Sequence, residues 1–538
     1  MARVNPPRQE PTIASILEGL GLPGGMGFVD LIRIMSRQPP GNPAIEFEQV
    51  SLTYGEAVSA VAGVAAHLER LGIKRGDHVA YLFNPHPHAL FTLLAGTMIG
   101  AVMCPVNVQI GGEILARMLK RYDVSWAIVD HCAIADMTGA VAEAGLDIGI
   151  VDGHDAAFVR AVSEGADIRP FLARDYPQLG DPALILSTSG TTGEAKGVVV
   201  SQTYASGGLI AAHKWGCFKT PPKVYVALSW GYAAAIFQVS IAFGLGGSLV
   251  IPKRFSASGM WDDFHAHGCD HVHLMGTMPR MLFNQPRRAQ DNTRKRALVT
   301  SAAMPGELWR AFEDRFNVLV FECYSAVDAG GCWMTNAGEA PPGSVGRPWI
   351  ELEAAIVDDD DRALGPEEVG ELVMRPKGAA PSVAYYKDPE ASAEKVRNGW
   401  IHFGDYFRRD ADGNYWFVDR KRDLIRRRAM GISPNEVEAL MRQAPGVEEV
   451  TAFAVPADMG EDEIKIVVVP DRTGASHEAI LEYAERKLPA YMVPRYVELA
   501  DSLPKTLGSE RVQRFQLRTR WRNEATWDRE TSGFLSEA

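Results

Sequence analysis

Residues 187–197 have the side-chain types and spacing of a polyphosphate-binding loop. The run reads Ser-Thr-Ser-Gly-Thr-Thr-Gly-Glu-Ala-Lys-Gly and holds five hydroxyl side chains, three glycines and one lysine. Glycines let the backbone approach phosphate oxygens closely, and exposed N–H groups, hydroxyls and a lysine can then bind them. A flexible linker is the alternative, whereas a Walker A loop is excluded because no Gly-Lys-Ser/Thr follows at the required spacing. We therefore expect phosphate contacts from Thr188, Ser189, Gly190, Thr191, Thr192, Gly193 and Lys196.

Two further segments carry groups that could hold the rest of a nucleotide. The Phe403-Gly404-Asp405 turn is followed by Asp419-Arg420, and a carboxylate can accept hydrogen bonds from both ribose hydroxyls while an arginine supports them. Glu322-Cys323-Tyr324-Ser325-Ala326-Val327-Asp328 combines an aromatic ring with hydroxyl and carboxylate groups. The alternatives are a surface turn with a charged loop for the first segment, and a plain core strand for the second.

The elements around these motifs predict an α/β fold. Apolar residues 183–186 and 198–200 flank the phosphate loop as two strands. Between residues 40 and 255, apolar runs such as 79–83 alternate with helical patterns such as 88–98. Such alternation is typical of layered α/β structure with mainly parallel sheets.

Length and composition fit a large multidomain enzyme. The chain has 538 residues, of which 46% are hydrophobic and 23% charged, with a net charge of −12. This length predicts two or more domains, and the acidic balance disfavours nucleic acid as a partner. We predict no signal peptide and no membrane span. The six scattered cysteines form no Cys-x-x-Cys pair, so we expect reduced thiols and a cytoplasmic location.

A second domain is predicted after the basic run at 419–423. Beyond it, strands are expected at 450–455 and 464–469, and helices at 434–442 and 477–487. The segment that contains these helices and strands is large enough to form a separate domain. The acidic run at 358–361 is interpreted as a solvated hairpin turn without a chemical role.

The phosphate loop, the 322–328 segment and the Asp405 and Arg420 pair together resemble the adenylate-forming superfamily, which includes acyl-CoA synthetases. The loop match is close, with Ala195 in place of the usual proline. The resemblance covers nearly the whole chain and implies a large N-terminal domain of layered α/β subdomains (1–420) and a small mobile α+β C-terminal domain (421–538). Arg422 occupies the pivot position about which the small domain would rotate.

The resemblance also implies roles for individual residues. The nucleotide would contact Ser301, Ala302, Tyr324, Ser325, Asp405 and Arg420, and Asp328 would hold Mg²⁺ in place of the family's glutamate. The acyl group would be lined by Trp230, Tyr232, Gly276, Thr277 and Val327, where plain core packing is an equal alternative for each residue. CoA would contact Arg427, Arg428 and the turn at Gly431, and Arg426 would lie beside the reacting groups. The sequence 429–431 departs from the family's Gly-Glu-Asn.

The segment 503–513 lacks the lysine that bridges carboxylate and phosphates during adenylation in this superfamily. Its position falls on Glu510, or on Arg511 if one residue is inserted, and the family's threonine is Val327. Residues 515–518 and 526–530 resemble carnitine- and bile-acid-type CoA ligases. The missing lysine predicts a member specialised for thioester formation, of the kind found in diterpenoid antibiotic biosynthesis.

The predicted reaction converts an acyl-adenylate of a bulky apolar carboxylic acid and CoA into acyl-CoA and AMP. Cofactors would be CoA and the AMP moiety, with ATP and Mg²⁺ if adenylation is retained. If adenylation is lost, a separate adenylating ligase would supply the adenylate. Two alternatives stay open: a complete synthetase in which Arg511 replaces lysine, and a non-catalytic nucleotide-binding protein.

Histidines and a cysteine recur at positions 265, 267, 269, 271 and 273. A strand over 272–275 would place His271 and His273 on one face, but the earlier residues need not converge with them. We therefore do not predict a metal site there.

Overall fold

The computed structural model describes residues 10–532 except 109, 188–195, 277, 290, 293–294, 330, 422, 424, 428–429, 457–461 and 506–511. The helices in chain order are α1 (Ile13–Gly19), α2 (Phe28–Ser36), α3 (Tyr54–Leu71), α4 (Pro87–Met98), α5 (Gly112–Arg121), α6 (Ile134–Ala144), α7 (Ala156–Glu164), α8 (Arg169–Leu172), α9 (Gly207–Trp215), α10 (Ala233–Gly244), α11 (Met260–Ala266), α12 (Met278–Phe283), α13 (Gly306–Phe316), α14 (Pro389–Lys395), α15 (Pro434–Met441), α16 (His477–Lys487) and α17 (Arg514–Thr519).

The strands in chain order are β1 (Pro43–Phe47), β2 (Val50–Thr53), β3 (His78–Leu82), β4 (Val102–Pro105), β5 (Trp126–Val129), β6 (Gly149–Asp152), β7 (Pro182–Ser187), β8 (Gly197–Ser201), β9 (Lys223–Tyr225), β10 (Ser248–Val250), β11 (His271–Met275), β12 (Ala297–Ala302), β13 (Val318–Ala326), β14 (Gly331–Asn336), β15 (Arg347–Pro348), β16 (Leu352–Val357), β17 (Val369–Pro376), β18 (Val396–Arg397), β19 (Trp400–Arg409), β20 (Tyr415–Arg420), β21 (Ile425–Arg427), β22 (Met430–Ile432), β23 (Val447–Pro456), β24 (Asp462–Pro470), β25 (Tyr496–Leu499) and β26 (Thr526–Asp528).

The chain divides into two compact units. The first contains residues 1–190, 194–353 and 375–401, and the second contains 191–193, 354–374 and 402–538. The sequence-based boundary between residues 420 and 421 falls inside the second unit and stays a prediction.

Two largely parallel sheets form the frame of the first unit. One has six strands in the order β6-β5-β3-β4-β7-β8, and the other has nine in the order β15-β14-β13-β12-β11-β9-β10-β1-β2. Four of the five residues of β3 are buried, as expected for a strand covered by helices on both faces. The neighbouring helix α3 begins at a capping box formed by Thr53 and Glu56 and ends at Gly72, whose φ is 98°. The predicted α/β class is confirmed.

The second unit contains a four-stranded sheet in the order β23-β24-β25-β26, in which β24 and β25 are parallel. Helices α15 and α16 contribute Val437, Met441, Ile480 and Leu481 to an apolar cluster with this sheet. The predicted α16 agrees with the structure at both ends, and the predicted strands are found in β23 and β24. Among the described residues, no helix is both long and apolar enough to cross a membrane.

Candidate nucleotide and acyl site

The candidate site in the first unit lies at the carboxyl ends of adjacent parallel strands. Strands β11, β12 and β13 pair in parallel, with Met275 beside Ala302 and Ser301 beside Glu322. Gly276 directly follows β11, and its N–H donates to the carbonyl of Ala302 at 3.1 Å. In open α/β sheets, ligands bind at this edge of the sheet. The structure therefore brings the predicted Gly276, Ser301 and Ala302 together.

Tyr324 and Ser325 lie near the end of β13, the next strand of the same sheet. Tyr324 is half-buried and Ser325 is exposed, whereas Ser301 is fully buried. The chain then turns through a short 3₁₀ helix at Val327–Ala329. Within the 322–328 segment, Glu322 and Cys323 are therefore buried as in a core strand, whereas the side chains from Tyr324 to Asp328 are partly or fully accessible.

Glu322 fixes the turn that follows β12, a role that the sequence did not indicate. Its carboxyl oxygens accept the N–H groups of Ala303 at 2.5 Å and Met304 at 3.1 Å. Ala303 has a φ of 80°, a left-handed conformation that is costly for alanine and must be held by its surroundings. Burial raises the pKa of Glu322 to about 8, although these two hydrogen bonds lower it. At neutral pH the buried carboxyl group is therefore largely protonated.

We expect this group to make stability depend on pH. Because the pKa of Glu322 is raised to about 8 in the folded protein from its ordinary value of 4.5, the folded state holds a proton that the unfolded state releases between these values. The free energy of unfolding should then fall by up to about 1.4 kcal/mol per pH unit across this window. Urea unfolding of wild type and Glu322→Gln at several pH values measures this contribution. The variant should show a shallower decline, and equal slopes would remove Glu322 as the cause.

Asp328 is already paired within the described residues. Its Oδ2 accepts the Tyr385 hydroxyl at 2.7 Å and lies 2.7 Å from Nζ of Lys395. Burial, followed by the adjacent Asp328 carboxylate, raises the pKa of Tyr385, so its hydroxyl stays protonated and donates. The Lys395 ammonium neutralises the negative charge of Asp328 that would otherwise attract Mg²⁺. It would also repel the cation directly. This arrangement does not fit Asp328 as a Mg²⁺ ligand. Neither partner of Asp328 could be predicted from the sequence.

Lys196 lies near the end of the phosphate loop, and its Nζ is 5.3 Å from the centroid of the Tyr385 ring. The backbone of Val199 also donates to the carbonyl of Ala384 at 2.8 Å. These contacts hold the chain after the loop beside the segment that engages Asp328. The other predicted loop residues, 188–193, lie outside the described residues, as does Thr277.

Two of the predicted acyl-binding residues differ in accessibility. Trp230 is 1% exposed and belongs to the main apolar core, whereas Tyr232 is half-buried and caps the start of α10. Val327 is also half-buried and packs against the same core. Tyr232 and Val327 are therefore accessible to a ligand, and Trp230 has the character of core packing in this structure.

Asp405 and Arg420 face each other in the second unit. They are direct partners in the antiparallel pairing of β19 and β20, and Arg420 Nε lies 3.7 Å from Asp405 Oδ1. Both side chains are half-buried. The hairpin brings Asp405 and Arg420 together although they lie fifteen positions apart in sequence. The structure therefore forms the pair that the sequence predicted for a ribose.

The predicted CoA-binding residues lie on a two-stranded hairpin. Arg426 on β21 pairs with Gly431 on β22. The Arg427 side chain is 5% exposed, lies 2.9 Å from Glu463 and donates to the Val493 carbonyl at 3.0 Å. These contacts hold the Arg427 side chain inside the unit, so that little of its surface is accessible to CoA. Arg422, Arg428, Glu510 and Arg511 lie outside the described residues.

His271 and His273 share one hydroxyl partner, as their spacing on a strand predicts. His271 Nε2 and His273 Nδ1 each lie 2.9 Å from Thr300 Oγ1 on the adjacent strand β12. Their burial lowers the pKa of His271 to about 3 and that of His273 to about 4. This pair is a neutral, hydrogen-bonded part of the core.

The fold and these motifs together define a class of protein, and comparison with known families agrees. Residues 33–383 match the AMP-binding enzyme family, and residues 436–507 match the AMP-binding enzyme C-terminal domain. The chain therefore belongs to the AMP-binding enzyme family, within the acyl-CoA ligases and synthetases of the adenylate-forming superfamily.

Individual relatives cover nearly the full length. The chain is 29% identical to a sulfoacetate–CoA ligase of Cupriavidus necator over 90% of this chain and 96% of that protein. It is 30% identical to a feruloyl-CoA synthase of an Amycolatopsis species over 90% and 97% of the two chains. The crystal structure of ATP-bound MatB from Rhodopseudomonas palustris shares the fold, with a TM-score of 0.81, 23% identity, and 92% and 99% of the chains covered.

Proposed function

We propose that this chain forms acyl-CoA from CoA and the acyl-adenylate of a bulky apolar carboxylic acid, and that its ability to adenylate the free acid is impaired. The CoA sulfur attacks the adenylate carbonyl carbon, the bond from that carbon to the phosphate oxygen breaks, and AMP leaves. The thiol proton passes to solvent. We place this reaction in the cytoplasm, where the six scattered cysteines would stay reduced.

The observation that carries the impaired adenylation is the arrangement around Asp328. Adenylation needs positive charge and hydrogen-bond donors aimed at the phosphate as pyrophosphate departs. Here the position of the family's threonine hydroxyl is Val327, and Asp328 is neutralised by Lys395 at 2.7 Å. The bridging lysine is replaced by Glu510 or Arg511. Thioester formation escapes these losses because its leaving group is already AMP.

The proposed nucleotide contacts are those that the family resemblance implies. Adenine would lie against the edge formed by Ser301, Ala302 and Tyr324, and Asp405 would accept from the ribose hydroxyls with Arg420 in support. The phosphate loop, which includes Lys196, would bind the α-phosphate. Arg426 and the turn at Gly431 would approach CoA after rotation about Arg422. A separate adenylating ligase would supply the adenylate.

The acid is proposed from the residues around the start of α10. Tyr232 precedes Ala233, Ala234 and Ala235, whose small side chains leave room beside the ring. Half-buried Val327 adds an apolar surface in place of a hydroxyl. An aromatic or polycyclic apolar acid fits these residues better than a short polar one.

A complete synthetase is the second candidate, and one observation favours it. The sulfoacetate and feruloyl relatives described above are named as a CoA ligase and a CoA synthase, and the phosphate loop of this sequence is intact apart from Ala195. Arg511 would then supply the charge of the missing lysine, although its planar fork differs from an ammonium group.

Mass spectrometry of the purified protein with CoA and a panel of synthetic acyl-adenylates tests the proposed function. We expect a thioester of at least one apolar acid and an equal amount of AMP. Binding of the adenylates without any thioester would contradict a ligase and support a non-catalytic nucleotide-binding protein.

A further inference from the structure

We propose that His86, His88 and His154 form a binding site for one Zn²⁺ ion, separate from the ligase chemistry. Each of the three offers one ring nitrogen, and these nitrogens lie within 4.8 Å of one another. Imidazole nitrogens favour zinc and related transition metals over Mg²⁺ or Ca²⁺, which prefer oxygen.

The sheet explains why residues distant in sequence meet here. Strands β3, β5 and β6 are neighbours that all run in parallel. His86 and His88 lie where the chain leaves β3 and enters α4, and His154 lies two residues beyond β6. Because the carboxyl ends of parallel strands share one edge, the loops after β3 and β6 bring the three rings together. Strand β7, which precedes the predicted phosphate loop, belongs to the same sheet and is separated from β3 by β4. None of the three histidines is among the proposed nucleotide or acyl contacts.

The rings already pack closely around a common point. The centroid of the His86 ring lies 4.2 Å from that of His88 and 4.7 Å from that of His154, and His88 and His154 are 4.9 Å apart. Tetrahedral Zn²⁺ with bonds of 2.0–2.1 Å needs ligand nitrogens about 3.4 Å apart. Ring rotations that move each nitrogen by about 1 Å would reach this spacing.

His88 is held as a metal ligand requires. Its Nδ1 lies 2.8 Å from the carbonyl oxygen of Gly153, so Nδ1 donates and the lone pair on Nε2 is directed elsewhere. A hydrogen bond of this kind from the second ring nitrogen to a backbone carbonyl is usual for histidines that bind zinc. His86 Nδ1 accepts the N–H of His88 at 3.1 Å and caps α4, so zinc binding requires its ring to turn from this position.

The carboxylate of Asp130 is the proposed fourth ligand, and it would move toward the histidines from a position in which its Oδ2 accepts the backbone and side-chain N–H groups of Asn84 at 3.3 and 3.4 Å. Asp130, which follows the intervening strand β5, has its Oδ2 3.7 Å from His154 Nε2. The side chain of His154 is 27% exposed and that of Asp130 is 14% exposed, so an ion can enter from solvent. Three imidazoles and one carboxylate would fill the four positions of a tetrahedral zinc ion. The ion would tie the start of α4 to the loops after β5 and β6.

Titration calorimetry on untagged protein, first dialysed against EDTA, tests the site with Zn²⁺ as the probe. Wild type should bind one Zn²⁺ per chain, and Co²⁺ in its place should give the intense visible absorption of a tetrahedral complex. His154→Ala should weaken Zn²⁺ binding by about 10²-fold or more, since loss of even an outer partner of a zinc ligand costs 10–100-fold.

His131→Ala is the matched control. His131 belongs to the same edge of the sheet, but its ring is 79% exposed and pairs with Asp152. This variant should bind Zn²⁺ as wild type does. If His154→Ala unfolds by circular dichroism, His88→Gln serves in its place with the same expected loss. Absence of saturable binding by wild type, or equal binding by wild type and a folded variant of His154 or His88, would overturn the proposal.

Discussion

Adenylation of a free acid should increase by about 10²-fold or more when Val327→Thr and Arg511→Lys are combined, because each restores a donor for the charge on the transferring phosphate. Threonine has nearly the shape of valine, so the half-buried side chain keeps its packing against the core while gaining a hydroxyl. Lysine replaces the fork of arginine with a compact ammonium group. The rate is measured as pyrophosphate release with ATP, Mg²⁺ and the acid. Because Lys395 still pairs with Asp328, we do not expect the rate of an intact synthetase.

The combination of Val327→Ala with Arg511→Lys is the control for this gain. It changes the same two positions but supplies no hydroxyl at residue 327, and it should recover less adenylation than the threonine variant. Effects of groups that act together are not additive, so each single variant is measured as well. If neither single variant nor the double variant releases pyrophosphate faster than wild type does, the assignment of Val327 and Arg511 is contradicted.

Asp405→Ala should weaken binding of a non-hydrolysable acyl-adenylate analogue by about tenfold to over a hundredfold. A hydrogen bond that involves a charged group contributes about 1.5–3 kcal/mol, and the alanine leaves both ribose hydroxyls without their acceptor. Arg420, 3.7 Å away, would also lose its partner across the hairpin. Calorimetry with the analogue measures the loss.

Asp412→Ala controls for the change in net charge, because Asp412 lies in the exposed turn of the same hairpin. Its affinity for the analogue should equal that of wild type. An unchanged affinity of Asp405→Ala, in protein with intact folding, would remove the pair from the nucleotide site.

Local sequence patterns predicted those parts of the fold that local physics determines. The hairpin turn at 358–361 is present, with Asp358 accepting the N–H groups of Asp360 and Arg362. Asp358 thereby satisfies the backbone of the turn. Two of the other acidic side chains form ion pairs that the sequence did not indicate, Asp359 with Lys421 at 3.0 Å and Asp360 with Arg362 at 2.8 Å. Helix α16 has a serine cap at Ser476 and an apolar stripe, and both features are readable from sequence.

The partners of the motif residues could not be predicted in this way. Tyr385 and Lys395 lie 57 and 67 positions beyond Asp328 in sequence, and only the packing of the first unit brings them to its carboxylate. Glu322 was visible as a member of its motif, but its hydrogen bonds to the turn after β12 depend on the pairing of β12 with β13. The histidines at 86, 88 and 154 meet for the same reason, since strand order is not encoded in any local pattern.

The most direct measurement of the central claim compares two starting materials in parallel reactions with this enzyme and CoA. One reaction receives the free acid with ATP and Mg²⁺, and the other receives the preformed acyl-adenylate of the same acid. Thioester and AMP are quantified by mass spectrometry at matched times. We predict abundant thioester from the adenylate and little or none from the free acid. Comparable thioester yields from the two would show that adenylation is intact and would contradict the account.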